Sequence, residues 1–98
     1  MIHLIATLKI EPASLDKIAR IVRPCITETR KEPGCISYDL HQSLSDPGTL
    51  IFVERWKDMA SLDAHFETPH LKAWREAGGP YFLDRKIEII EDGKVSIR

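Results

Sequence analysis

The stretch Glu54-Arg-Trp-Lys-Asp-Met-Ala-Ser-Leu-Asp-Ala-His-Phe-Glu-Thr-Pro-His-Leu-Lys-Ala-Trp-Arg-Glu-Ala-Gly78 holds both tryptophans and two of the four histidines of a 98-residue chain. It reads as the end of a strand, a short helix, a sharp corner and a second helix. Trp56 closes an apolar run, and Asp58 is placed to cap a helix through Met59, Leu62 and Phe66. Thr68-Pro69 restarts the chain with a capping residue, then a proline at the first helical position, where its missing N–H and fixed φ cost nothing. The second helix carries His70, Leu71 and Trp74 and stops at Gly78-Gly79-Pro80. A corner that gathers two imidazoles and two indoles is where a site is expected.

Outward from this stretch the elements alternate. Leu50–Trp56 is apolar on both faces at its start, as a central strand is. Asp46-Pro47-Gly48-Thr49 before it predicts a type II turn. Cys35–Gln42 is a further strand, with Ile36, Tyr38 and Leu40 on one face. Upstream, Leu15, Ile18, Val22, Cys25, Ile26 and Thr29 form one stripe of an amphipathic helix, with Ser14 as its expected cap. Pro24 within that helix predicts a kink or break near Arg20, at about 3 kcal/mol in an ordinary helix interior. Glu32-Pro33-Gly34 ends the helix. Ile2, Leu4, Ala6, Leu8 and Ile10 recur at every second residue and mark the first strand. Asp84–Asp92 is the fourth, after which Asp92-Gly93 turns the tail.

Strand–helix–strand–strand–helices–strand is the βαββαβ order of ferredoxin-like α+β folds: a four-stranded antiparallel sheet with helices on one face. Residues 1–98 read as one domain, with no linker or repeat. Ile5, Ile51, Val53 and Ile90 fall out of phase with the main apolar stripe. A second copy laying its sheet against this one would bury them in a closed, barrel-like dimer; a solvated face with scattered apolar side chains is the other reading. The composition is 43% hydrophobic and 30% charged with a net charge of −1. That describes a globular chain and argues against nucleic-acid or membrane-surface partners. No run approaches the ~18 apolar residues of a membrane span, and no signal peptide is visible. Two cysteines in separate elements, Cys25 and Cys35, fit reduced thiols in the cytoplasm.

Glu32-Pro33-Gly34-Cys35 followed by Tyr38, then Glu54-Arg55-Trp56, then His65 with Thr68-Pro69-His70, resemble the antibiotic biosynthesis monooxygenase domain family, in particular its small bacterial quinol monooxygenases. The resemblance covers residues 2 to 78 directly. It implies a dimeric α+β barrel with a pocket between sheet and helices. It also implies oxidation of polycyclic phenols or quinols by O2 with no flavin, haem or metal. In the family's haem-degrading branch a pocket asparagine, a tryptophan and a haem-ligating histidine occupy positions that align with Thr7, His65 and Arg75, so haem degradation is not expected. Another branch, which isomerises a phosphorylated sugar derived from autoinducer-2, shares the histidine–Thr-Pro-His pattern and is the enzymatic alternative.

The chemistry can be argued separately. A quinol or anthrone reduces O2 by itself once a proton leaves, so a protein need only hold the ring, take the proton and stabilise the anion. Trp56, Trp74, Phe66 and Tyr38 can supply walls, His65 or His70 the base, and Arg75 or Arg55 the anion partner. Each has a plainer reading: the histidines as satisfied helix residues, the tryptophans as core, Asp63 and Glu67 as a solvated face. The five-residue spacing of His65 and His70 across a helix break is not that of a helical zinc site, and no metal is expected. A domain that only binds a small aromatic molecule remains the alternative outside enzymology.

Overall fold

A computed structural model describes all of residues 1–98. In chain order it contains β1 (Ile2–Ile10), α1 (Leu15–Thr29), β2 (Cys35–Gln42), β3 (Thr49–Trp56), α2 (Met59–Phe66), α3 (Pro69–Gly78), β4 (Phe82–Glu91) and β5 (Lys94–Ile97). The sheet order is β2-β3-β1-β4-β5, antiparallel throughout. This is the ferredoxin-like arrangement with one strand more than the sequence predicts. The addition follows from Asp92 (φ 52°) and Gly93 (φ 78°). Two successive positive φ values make a two-residue hairpin turn whose twist matches that of the strands, so the tail folds back along β4.

The strand period of two sorts β1 into two faces. Ile2, Leu4, Ala6, Leu8 and Ile10 are buried and share one core with Ile18 and Val22 of α1, Leu62 of α2, and Leu71 and Trp74 of α3. The helices therefore cover that face. On the opposite face Ile5 pairs with Val53, Thr7 with Ile51 and His3 with Ile90, and no helix covers them. Val53 is 41% exposed, and β5 adds Val95 and Ile97 to the same face at 56% and 63%. No helix is long and apolar enough to cross a membrane.

Four local expectations are corrected. Helix α1 runs unbroken through Pro24, which lies on its exposed side, where water can satisfy the carbonyl that proline frees. Ser14 makes no side-chain cap, because the chain enters α1 through a 3-10 turn at Pro12–Ser14 in which Ser14 is already helical. The Asp46–Thr49 turn is closed by Thr49 N–H to the Asp46 carbonyl at 2.9 Å. It is not type II, since Gly48 does not take the positive φ that type requires. The Asp46 side chain instead accepts from the Gly48 N–H at 3.1 Å. Finally, Ile36 is 51% exposed, because the β2–β3 register shifts between Cys35 and Ser37 and the extra residue leaves the pleat.

Candidate functional site

The site begins at a turn. After α1 the chain reverses through Glu32-Pro33-Gly34, with Cys35 N–H bonded to the Glu32 carbonyl at 3.0 Å. Gly34 lies against the first turn of α2. A Cβ there would stand 2.0 Å from Ser61 Oγ, and the Gly34 carbonyl accepts from Lys57 N–H at 2.9 Å. Asp58 caps α2 through Ser61 N–H at 2.8 Å, and Thr68 caps α3 through Leu71 N–H at 3.4 Å. These contacts fix the turn, α2 and α3 together. They bring the Glu32 carboxylate between two imidazoles, with Oε2 2.8 Å from His65 Nδ1 and 2.8 Å from His70 Nε2.

An ionised carboxylate only accepts, so both ring nitrogens facing it are donors. That assigns His65 the Nδ1–H tautomer and leaves Nε2 as a lone pair. His65 is 1% exposed, and burial pushes its pKa below the ordinary 6.5 although Glu32 opposes the shift. His65 is thus neutral at neutral pH. No fully buried side-chain nitrogen or oxygen lacks a partner, and Nε2 has none in the protein, so it faces open space. His65 lines a cavity of about 50 Å³ that His70 does not line.

Leu4, Ala6 and Leu8 of β1 form the cavity floor, Phe66, Leu71 and Trp74 the helical roof, and Arg75, Phe82 and Arg85 its remaining wall. Aromatic edges meet around it: Phe52 and Trp74 centroids are 6.0 Å apart, Trp74 and Phe82 5.4 Å. Tyr38 lies 5.5 Å from the His65 ring, and burial pushes its pKa up, keeping the phenol protonated. Glu54 also lines the cavity and is only 4% exposed. Its Oε1 accepts from Trp56 Nε1–H at 3.0 Å. Burial raises its pKa to about 8, against the Trp56 bond and with a further push from the charge of Glu32. At neutral pH Glu54 therefore carries its proton.

Of the residues singled out in the sequence, His65, Tyr38, Phe66, Trp74 and Arg75 line the cavity. His70 does not, and is joined to His65 only through Glu32. Trp56 is not a wall, because it lies behind His65 at a centroid distance of 4.6 Å and spends its N–H on Glu54. Thr7 is on the opposite face, since the even residues of β1 point to the helices and Thr7 pairs with Ile51 and Lys86. Arg55 is also on that face, bonded to Ser37 Oγ at 3.1 Å. Asp63 and Glu67 are exposed. Burial raises both thiol pKa values, that of Cys35 to about 11, which leaves neither as a ready nucleophile. Sequence reasoning gave no site role to Glu32, read as part of a helix stop and of the motifs that carry the resemblance, or to Glu54, quoted only within those motifs. Glu54 did carry a signal, an acid at an inward position of β3 between Phe52 and Trp56.

Glu32, His65 and His70 each offer one ligand atom, all within 4.8 Å of one another. Two imidazoles and a carboxylate are a donor set that divalent transition metals accept. The 2.8 Å separations from Oε2 are those of charge-assisted hydrogen bonds, and an ion there would displace the two N–H protons. The spacing argument made from the sequence considered only the two histidines; Glu32 completes the set.

Comparison with known proteins places this geometry in context. The model of the antibiotic biosynthesis monooxygenase family matches residues 1–77. Probable quinol monooxygenase YgiN of Escherichia coli is 32% identical over 108 aligned positions, covering 95% of this chain and 99% of that protein. The chain spans only 55% of another relative, the uncharacterized protein sll1783 of Synechocystis, at 32% identity over 84% of this chain. A crystal structure of an antibiotic biosynthesis monooxygenase superposes with a TM-score of 0.86 at 32% identity, covering 93% of this chain and 97% of that one. Rv0793 from Mycobacterium tuberculosis gives 0.84 at 28%, covering 92% of each chain. The fold and the matched residues agree: the chain belongs to the antibiotic biosynthesis monooxygenase family.

Proposed function

We propose that this protein is a monooxygenase that oxidises a quinol or polycyclic phenol with O2, without flavin, haem or metal, as a cytoplasmic homodimer. The observation that carries the reading is the neutral His65, oriented through Nδ1 by Glu32, in the lining of an aromatic-walled cavity. Nε2 takes the phenolic proton, and Arg75 stabilises the resulting anion. The anion gives an electron to O2, recombination at a ring carbon that bears hydrogen forms a peroxide, and the proton held on His65 converts it to the hydroperoxide. Loss of water then leaves a carbonyl, so one oxygen atom stays on the product and the other departs as water. Protonated Glu54, the acid in the cavity lining, is the proton donor for the departing oxygen.

The cavity of about 50 Å³ holds a water or two, whereas benzene occupies sites of ~150 Å³. Ring binding therefore requires Arg75, Phe82 and Arg85 to move outward. The same small volume favours a second reading, a packed module with no turnover. Oxygen uptake by metal- and flavin-free protein over dihydroxynaphthalenes and anthrones separates the two. Uptake above the autoxidation blank supports the oxygenase, and blank rates across the panel, with isomerisation of phosphorylated carbonyl compounds then tested, overturn it.

A further inference from the structure

Three arginines from separate parts of the chain meet beside the cavity. Arg75 of α3 and Arg85 of β4 line it, and both also line the adjoining open cleft with Phe82. The Arg75 guanidinium lies 5.4 Å from the Phe66 ring centroid, and that of Arg98 lies 4.1 Å from the same centroid. Their neutralisation is poor. Neither Arg75 nor Arg85 makes an ion pair, and Arg98 has only Asp63 at 3.9 Å. Asp84 shares the cleft, but its Oδ1 accepts from the backbone N–H of Arg85 at 2.9 Å. Glu54, the acid inside the cavity, is neutral at neutral pH. The cations feel one another, since the charges of Arg85 and Arg98 add to burial in lowering the Arg75 pKa. The guanidiniums of Arg75 and Arg85, without an ion pair and both in the lining of an apolar cavity and its cleft, form a fork for a carboxylate or phosphate.

We infer that the substrate is anionic, an aromatic ring bearing a carboxylate or phosphate that Arg85 holds at the opening, with the charges of Arg75 and Arg98 nearby, while the ring enters toward His65. This rests on the proposed function for the ring and its reaction, but the anion subsite is tested by binding alone. The charge gives the site its orientation: the ring end reaches Nε2 of His65, and the charged end stays in the wet cleft. It also supplies binding energy for moving the arginines off the closed cavity.

The test is equilibrium binding, read by tryptophan fluorescence and calorimetry, with three unreactive probes: 2-naphthoate, 1-naphthyl phosphate and neutral 2-naphthalenemethanol. The expected result is that one or both anions bind about tenfold or more tightly than the alcohol, the gain expected of a charged hydrogen-bonded pair. The advantage should shrink as salt rises and as Arg85→Gln or Arg98→Gln removes a cation, and survive in part in Arg85→Lys. Which anion gains more identifies the group as carboxylate or phosphate. Equal binding of the three probes, or an advantage unchanged in both glutamine variants, overturns the inference. An anion preference with no oxygen uptake would overturn the oxygenase and leave the subsite standing; uptake with no anion preference would do the reverse.

Discussion

At the residue scale, the proposed chemistry rests on two acids and one imidazole, and their environments differ in a usable way. His65 is kept neutral by burial and oriented by Glu32, and Glu54 is kept protonated by burial. A base and an acid thus coexist at neutral pH within one cavity. Glu54 also makes stability depend on pH. Between the ordinary 4.5 and about 8 the folded chain holds a proton that the unfolded chain has released, so stability falls as pH rises through that window. Glu54→Gln keeps an acceptor for Trp56 and removes the titration. Thermal melts between about pH 5 and 8 should show wild type losing stability that the variant does not lose; parallel curves would contradict the assignment. His65 was legible in the sequence because imidazole beside indoles is a local pattern. The role of Glu32 was not, because its partners lie 33 and 38 positions away and only the folded turn brings them together.

The elements were legible where periodicity carries the signal and less so where a backbone contact decides. The order of strands and helices, and the caps at Asp58 and Thr68, follow from alternation and from side chains that bond their own neighbours. The β2 bulge that exposes Ile36 and the tight fit of Gly34 on Ser61 have no such mark. Gly34→Ala tests that fit. Its Cβ would meet Ser61 Oγ and Cβ at 2.0 and 2.2 Å, so β2 and α2 must separate. Chemical denaturation should show a loss of about 1–3 kcal/mol, as for other overpacked sites. Ser61→Gly in the same chain should restore most of it. A neutral Gly34→Ala would mean that this contact does not set the position of Glu32.

For the whole molecule, one face of the sheet is covered by helices and the other is left with Ile5, Ile51, Val53, Ile90, Val95 and Ile97. The phase of the first four was readable from alternation; the last two were not, because a four-residue strand after a turn shows almost no period. The proposed homodimer buries this face. Light scattering should give twice the chain mass of 11.2 kDa, and Val53→Glu should shift the protein toward that single mass while its circular dichroism stays the same. A wild type that stays at the single mass would refute the dimer.

The central claim is that His65, not His70, is the base that starts oxygen chemistry. It is tested most directly by initial oxygen-uptake rates of wild type, His65→Ala and His70→Ala on one reactive dihydroxynaphthalene, with metal and flavin removed and each variant confirmed as folded. The account predicts that His65→Ala falls by about 100-fold or more toward the blank, the usual size of a general-base contribution, while His70→Ala keeps most of its activity. It also predicts an acid limb of kcat/KM below the ordinary histidine value of 6.5, because burial lowers the His65 pKa. Uptake unchanged in His65→Ala, or lost only in His70→Ala, would contradict it.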